Sequence, residues 1–176
     1  MKKLESSITN MILVLVGVAL VTGAILAYVN NVTAGPIKEQ AEKTLTDGIK
    51  KVMGGKNDVK VSASKPITQN IKGKELTYVV HLTQDSKGND LGAAVESTTN
   101  GFGGDLKVLV GFNTEGEILG YTILQTAETP GLGAKAQDWF QKDGKGNIIG
   151  MNPSVPLTVN KDGGKVNAIT ASTITS

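Results

Sequence analysis

Residues 11–29 read MILVLVGVALVTGAILAYV, a run of 19 positions without a charge. At ~1.5 Å rise per residue, a helix of that length covers roughly 28 Å, close to the ~30 Å hydrocarbon core of a bilayer. Ile8 extends the apolar character towards the N-terminus. Gly17 and Gly23 are compatible with such a helix, because lipid keeps the backbone hydrogen bonds internal. Tyr28 stands where an interfacial aromatic belongs. Lys2 and Lys3 precede the run and the next lysine is Lys38. The positive-inside rule therefore places the N-terminus in the cytoplasm and the rest of the chain outside it. The rival reading is a cleaved signal peptide, with Val32-Thr33-Ala34 as a small-residue cleavage site. The apolar run is longer than the ~7–15 residues usual in such peptides, which favours a retained anchor. Residues 1–29 are read as cytoplasmic N-terminus and single-pass anchor, and residues 30–36 as a polar linker with a Gly-Pro break.

The remaining residues, 37–176, are enough for one small domain. Residue types missing from it narrow its chemistry. The chain has no cysteine, one histidine and no arginine, all 18 basic residues being lysine. A thiol nucleophile, a thiolate-held iron–sulfur cluster and a disulfide framework are excluded. His81 alone cannot build a histidine metal cluster. Without arginine there is no bidentate fork for phosphate or guanine. A net charge of +2 and 4% aromatic residues give no support to nucleic-acid binding.

Apolar periodicity predicts a helix over 37–53, where Ile37, Ala41, Leu45, Ile49 and Met53 recur every four residues before Gly54-Gly55. Residues 56–71 are polar and read as a loop with a short strand. Strands are expected at 75–83, 91–98, 106–112 and 118–125, forming two hairpins around turns at 85–90 and 113–117. A short helix is expected at 134–140, a Gly-rich excursion at 142–153, and two short strands at 156–160 and 166–170. The fold class is α+β: an N-terminal transmembrane helix, then a small domain with a twisted, mostly antiparallel sheet.

Of the 22 glycines, 15 lie between Gly88 and Gly164, and they cluster in two loops of interest. The first is Asn100-Gly101-Phe102-Gly103-Gly104, which lets backbone approach a flat or charged ligand or simply makes an awkward turn. It lacks the phosphate-loop and dinucleotide fingerprints. The second is Glu128-Thr129-Pro130-Gly131-Leu132-Gly133. There, Pro130 and the flanking glycines would hold Leu132 on a rigid tip, able to cover an aromatic ring or merely to lead into the next helix. A third segment is the tail Thr170-Ala171-Ser172-Thr173-Ile174-Thr175-Ser176. Five of its seven side chains carry a hydroxyl, suited to a phosphate ester or to plain solvation. His81 reads as a structural or surface residue, Trp139-Phe140 as core, and the lysine-rich stretch 38–74 as a solvated face.

Taken in order, the anchor, GFGGDLKVLVGF, ILGYTILQTAETPGLGAKAQDWF and VNKDGGKVNAITASTITS resemble the FMN-binding domain family. Within it the chain looks most like the G subunits of Rnf electron-transport complexes. The C subunit of the sodium-pumping NADH:quinone oxidoreductase is a further relative. Similarity runs from about Ile8 to Ser176 and is most specific at ETPGLGAK. The resemblance implies FMN held covalently by a phosphoester to Thr173, installed by a flavin transferase. Ser172 and Thr175 are the neighbouring hydroxyls. The family's usual glycine, alanine and upstream acid are replaced by Ala171, Ser172 and Asn167. By position, Glu128, Thr129, Gly131, Leu132 and Gly133 match the loop lining the isoalloxazine, and Gly101, Gly103 and Gly104 match another wall. Lys161, or Lys165, is the cation expected near the flavin N1–C2=O edge. Family members usually continue beyond the residue matching Ser176, so the chain is expected to be truncated there.

The implied function is electron transfer within a membrane complex of other Rnf-type subunits, coupling ferredoxin:NAD oxidoreduction to Na⁺ or H⁺ movement. The implied location is the bacterial cytoplasmic (inner) membrane. No catalytic acid, base or nucleophile and no metal is expected, and nucleic acid is not an expected partner. The alternatives are a stand-alone anchored flavoprotein shuttle and a non-redox anchored binding module.

Overall fold

The computed structural model describes residues 7–55, 58–71, 73–170 and 172. Two compact units divide at residues 43 and 44. The first holds most of helix α1 (Ile8–Val52), which is long and apolar enough to cross a membrane. Its apolar side chains are exposed; Leu15 is 72% exposed and Leu26 70%. Lipid is the solvent that suits them. The hydroxyl of Thr22 donates to the Val18 carbonyl at 2.8 Å, which satisfies a polar side chain in the interior of the run. Residues 30–36, expected to be a linker, are helical, and Pro36 lies inside α1. A proline removes one helical hydrogen bond without removing the favourable geometry on either side.

The second unit starts with the last turns of α1 and carries a five-stranded antiparallel sheet in the order β1-β2-β3-β4-β5. The strands are β1 (Lys60–Ile71), β2 (Lys74–Gln84), β3 (Asp90–Asn100), β4 (Asp105–Phe112) and β5 (Ile118–Gln125). Every strand pairs with its sequence neighbour, because each connection is short enough to be a hairpin. Two of these hairpins use one device. The Asp85 carboxylate accepts from Lys87 and Asn89 N–H, and the Asn113 side-chain oxygen accepts from Glu115 and Glu117 N–H. Such side-chain mimicry of a backbone turn is what short polar residues do best at strand ends.

Ile49, Val52 and Met53 at the end of α1 form the core with Val59, Ala94 and Leu109. Gly54 and Gly55, both at positive φ, end the helix, and the Gly55 N–H donates to the Lys50 carbonyl at 3.0 Å. The helix end lies so close to the sheet that a Cβ at Gly111 would meet the Val52 carbonyl. Gly111→Ala should therefore cost about 2–3 kcal/mol by overpacking and lower the melting temperature of the detergent-solubilised chain. A melt superimposable on wild type would show that the helix end yields freely.

His81 is structural. It is buried on β2, hydrogen-bonded through Nδ1 to Ser64 Oγ at 2.8 Å, with Nε2 3.8 Å from Glu96 Oε2. Lys107 pairs with the same Glu96 carboxylate at 3.1 Å.

After β5 the chain is mostly irregular. A 3-10 turn (Gly133–Lys135) runs into α2 (Ala136–Trp139), matching the short helix expected there. The strands expected at 156–160 and 166–170 reduce to a single parallel bridge between Val159 and Val166, with a 3-10 turn at Asn160–Asp162. Asn160 explains the difference. Its backbone N–H is bonded to the Val166 carbonyl, and its side-chain oxygen accepts from Ala168 N–H, so side chain replaces ladder.

Tyr121 sits buried on β5 against Phe140, with ring centroids 6.4 Å apart, and its hydroxyl finds no well-formed hydrogen bond among the described residues. Burial, and then the Asp138 carboxylate, push this phenol well above its ordinary pKa. The folded state thus favours the neutral phenol. That contribution is complete below the ordinary value of about 10 and is lost as pH rises beyond it. Tyr121→Phe should leave stability at neutral pH unchanged or raise it by up to about 1 kcal/mol. It should also remove part of the loss on alkaline titration, as followed by thermal melts between pH 8 and 11.

Candidate functional site

Two loops far apart in sequence meet at one carboxylate. Glu128 follows β5 and is nearly buried. Its Oε1 accepts from the backbone N–H of Phe102 at 2.6 Å and of Gly103 at 3.3 Å. Both donors belong to the turn between β3 and β4, which Gly101 closes by donating to the Gly104 carbonyl at 2.8 Å. Gly103 is required here for a spatial reason, since a Cβ on it would strike the Ala127 carbonyl. Charge-assisted bonds of this kind are about twice as strong as neutral ones. One side chain therefore clasps the two glycine-rich loops together.

The second loop is tightly wound beyond the clasp. The Thr129 carbonyl accepts from Leu132 and Ala134 N–H at 3.2 and 3.3 Å. Gly131 adopts φ +78°, a left-handed conformation that suits glycine. Leu132 is left 44% exposed on the tip, Thr129 is exposed, and Gly133 is buried where the 3-10 turn begins. Phe102, on the opposite loop, is 74% exposed. The clasp thus presents two apolar tips and a backbone-rich surface.

Residues 101–176 match the model of the FMN-binding domain family. The G subunit of the ion-translocating oxidoreductase complex of Shewanella oneidensis is 32% identical over 164 residues, covering 89% of this chain and 77% of the relative. The G subunit of the Na(+)-translocating ferredoxin:NAD(+) oxidoreductase complex of Acetobacterium woodii is 32% identical over 170 residues, covering 93% and 82%. The chain belongs to the G-subunit family of ion-translocating oxidoreductases. The matched FMN-binding region begins at the glycine turn, takes in β4 and β5, and contains Glu128.

In this member of the G-subunit family, side chains tie the C-terminal segment to the rest of the domain. Trp139 Nε1 donates to the Asn167 carbonyl at 2.8 Å, and Asn167 Nδ2 donates to the Lys145 carbonyl at 2.8 Å. Asn167 is therefore a structural tie. Gln137 and Gln141, one helical turn apart, cover the open edge of β5. Gln137 accepts from Ile123 N–H at 2.9 Å, and Gln141 donates to the Tyr121 carbonyl at 2.9 Å. None of these glutamine and asparagine roles was expected from sequence; only the four-residue spacing of the glutamines hinted at a shared face.

Ser172 is buried, with its N–H donating to the Ile169 carbonyl at 3.3 Å. Thr173 and Thr175 lie outside the described residues. Lys161 is exposed on the 3-10 turn, and its side chain forms no hydrogen bond or ion pair among the described residues. The structure joins Glu128 to the Gly101–Gly104 turn and leaves Lys161 apart from that contact network.

Proposed function

We propose that this chain carries FMN as a phosphoester on Thr173 and serves as an electron-transfer subunit of a membrane-bound ion-translocating complex of the Rnf type. The observation that carries the proposal is the Glu128 clasp, which lies within the region matching the FMN-binding domain and unites the two loops that the family resemblance assigns to the flavin. The residues suit that group. Close-packed glycines leave bare backbone on the surface, and Leu132 offers an apolar tip for a ring face. The covalent link requires only a hydroxyl. Ser172, being buried, is a poor rival acceptor.

FMN, when bound, supplies the one- and two-electron chemistry, and the protein sets its potential, exposure and distance to neighbours. Attachment forms a bond from the Thr173 oxygen to the flavin phosphorus and breaks the phosphoanhydride bond of a flavin dinucleotide donor, whose nucleoside monophosphate leaves; the hydroxyl proton passes to solvent, and a flavin transferase catalyses the step. Partners are the membrane subunits of the complex, which couples ferredoxin:NAD oxidoreduction to Na⁺ or H⁺ movement. The lysine distribution around the span supports a cytoplasmic N-terminus and an extracytoplasmic domain in the bacterial inner membrane.

Co-expression with a flavin transferase should yield a band that fluoresces on a denaturing gel, with an intact mass raised by one FMN less water. A full-length chain that stays non-fluorescent and unmodified under these conditions would refute the covalent reading. Protease added to sealed cells should reach the domain; protection would refute the orientation.

A further inference from the structure

Phe102 is the one side chain between Asn100 and Asp105, and it is 74% exposed. The other two phenylalanines of the chain, Phe112 and Phe140, are half-buried. Crowding decides what can stand on either side of Phe102. A Cβ on Gly101 would strike the Glu128 carboxylate, as one on Gly103 would strike the Ala127 carbonyl. The turn therefore packs bare backbone against residues 127 and 128 and leaves a single aromatic ring outside. Among the described residues that ring meets no other aromatic ring and no cation.

The backbone beneath the ring is pinned. Phe102 N–H makes the shorter of the two bonds to Glu128 Oε1, 2.6 Å against 3.3 Å for Gly103. Only the two side-chain torsions of Phe102 stay free, so little conformational entropy is lost when the ring comes to rest on a ligand. Folding gains nothing from a phenyl group left in water. Phe102 lies in the region matching the FMN-binding domain, on the turn that Glu128 joins to the loop of Leu132. A phenyl face offers neither charge nor a conventional hydrogen bond, so its natural counterpart there is a flat aromatic ring and not a phosphate.

We infer that Phe102 packs its ring on the isoalloxazine of the bound flavin and holds it in place. This rests on the covalent-FMN reading. A phosphoester tethers one end of the cofactor and leaves the ring system free to turn about the ribityl chain. Contact with Phe102 restrains that motion and covers part of the isoalloxazine from water.

The test uses the full-length, flavin-loaded chain in detergent. Phe102→Trp and Phe102→Ala both keep the backbone N–H that Glu128 holds. Indole is a strong electron donor that quenches an excited flavin at contact range, whereas phenyl is not, and Trp139 is common to all three chains. Phe102→Trp should lower native flavin emission at least threefold, with emission after denaturation equal to wild type. Phe102→Ala should raise the iodide-quenching constant of the native flavin at least twofold, because the ring loses cover. Unaltered native emission in Phe102→Trp, or an unaltered quenching constant in Phe102→Ala, overturns the contact. So does a Phe102→Ala chain with both flavin readouts of wild type that no longer copurifies with the other membrane subunits, which would make Phe102 a docking group. A wild-type chain without flavin on the denaturing gel would defeat the underlying covalent reading, and this inference with it.

Discussion

Thr173→Ala should lose all covalent flavin: no fluorescent band on a denaturing gel, and an intact mass equal to the bare polypeptide. The effect is all-or-none because the phosphoester needs an oxygen on that side chain, and alanine offers none. Nearby hydroxyls provide the controls. Thr175→Ala should keep a full flavin load. Ser172→Ala should keep it too, since the Ser172 side chain is buried in the domain. Thr173→Ser should retain a reduced load, because the acceptor oxygen survives while the methyl group that restricts its rotamer is gone. A fluorescent Thr173→Ala band that disappears only when Thr175 is also replaced would move the attachment two residues along and leave the family assignment intact.

Glu128→Ala should open the clasp. Two backbone donors, Phe102 and Gly103 N–H, lose their shared acceptor, and a charged acceptor of this kind is worth about 1.5–3 kcal/mol. We expect a net loss of about 2–3 kcal/mol in stability. Amide exchange at Phe102 and Gly103 should quicken by at least about tenfold, the factor that corresponds to 1.4 kcal/mol. The flavin load should fall several-fold with it. Glu128→Gln keeps an oxygen at the same place and should recover more than half of the lost stability. If exchange at those two amides is the same in Glu128→Ala and wild type, the carboxylate is not what holds the loops together.

What could be read from the residues depended on whether the physics was local. Strands β2 to β5 were legible because each alternates or runs apolar and ends at a turn whose residues announce it. β5 was found at residues 118–125, the span it occupies. β1 was largely missed. In KVSASKPITQNI the alternation of Val61, Ala63, Ile67 and Ile71 is broken by Lys65 and Gln69, and its Pro66 and lysines are what an edge strand carries. The helical course of residues 30–36 was hidden by a Gly-Pro pair whose local preference is outweighed by the helix on both sides. At the site, the glycine turn and the Glu128 loop were both singled out, but not their contact. A carboxylate reaching backbone N–H groups 25 and 26 positions away leaves no spacing rule to recognise. Trp139, expected in the core, is half-buried, and its bond to the Asn167 carbonyl, 28 positions further on, likewise follows no spacing rule.

The neighbour-to-neighbour order of the sheet also has a kinetic meaning. A meander closes only short loops, so its hairpins can zip one after another at low entropic cost, and such topologies fold quickly. During synthesis the N-terminal end is available first. Helix α1 and β1 precede the rest, β5 completes the sheet, and the Glu128 clasp closes only once β5 has emerged. The hydroxyl-bearing segment comes later still. If Thr173 carries the flavin, as proposed, the order of residues along the chain delivers that hydroxyl only after the scaffold before it has been made.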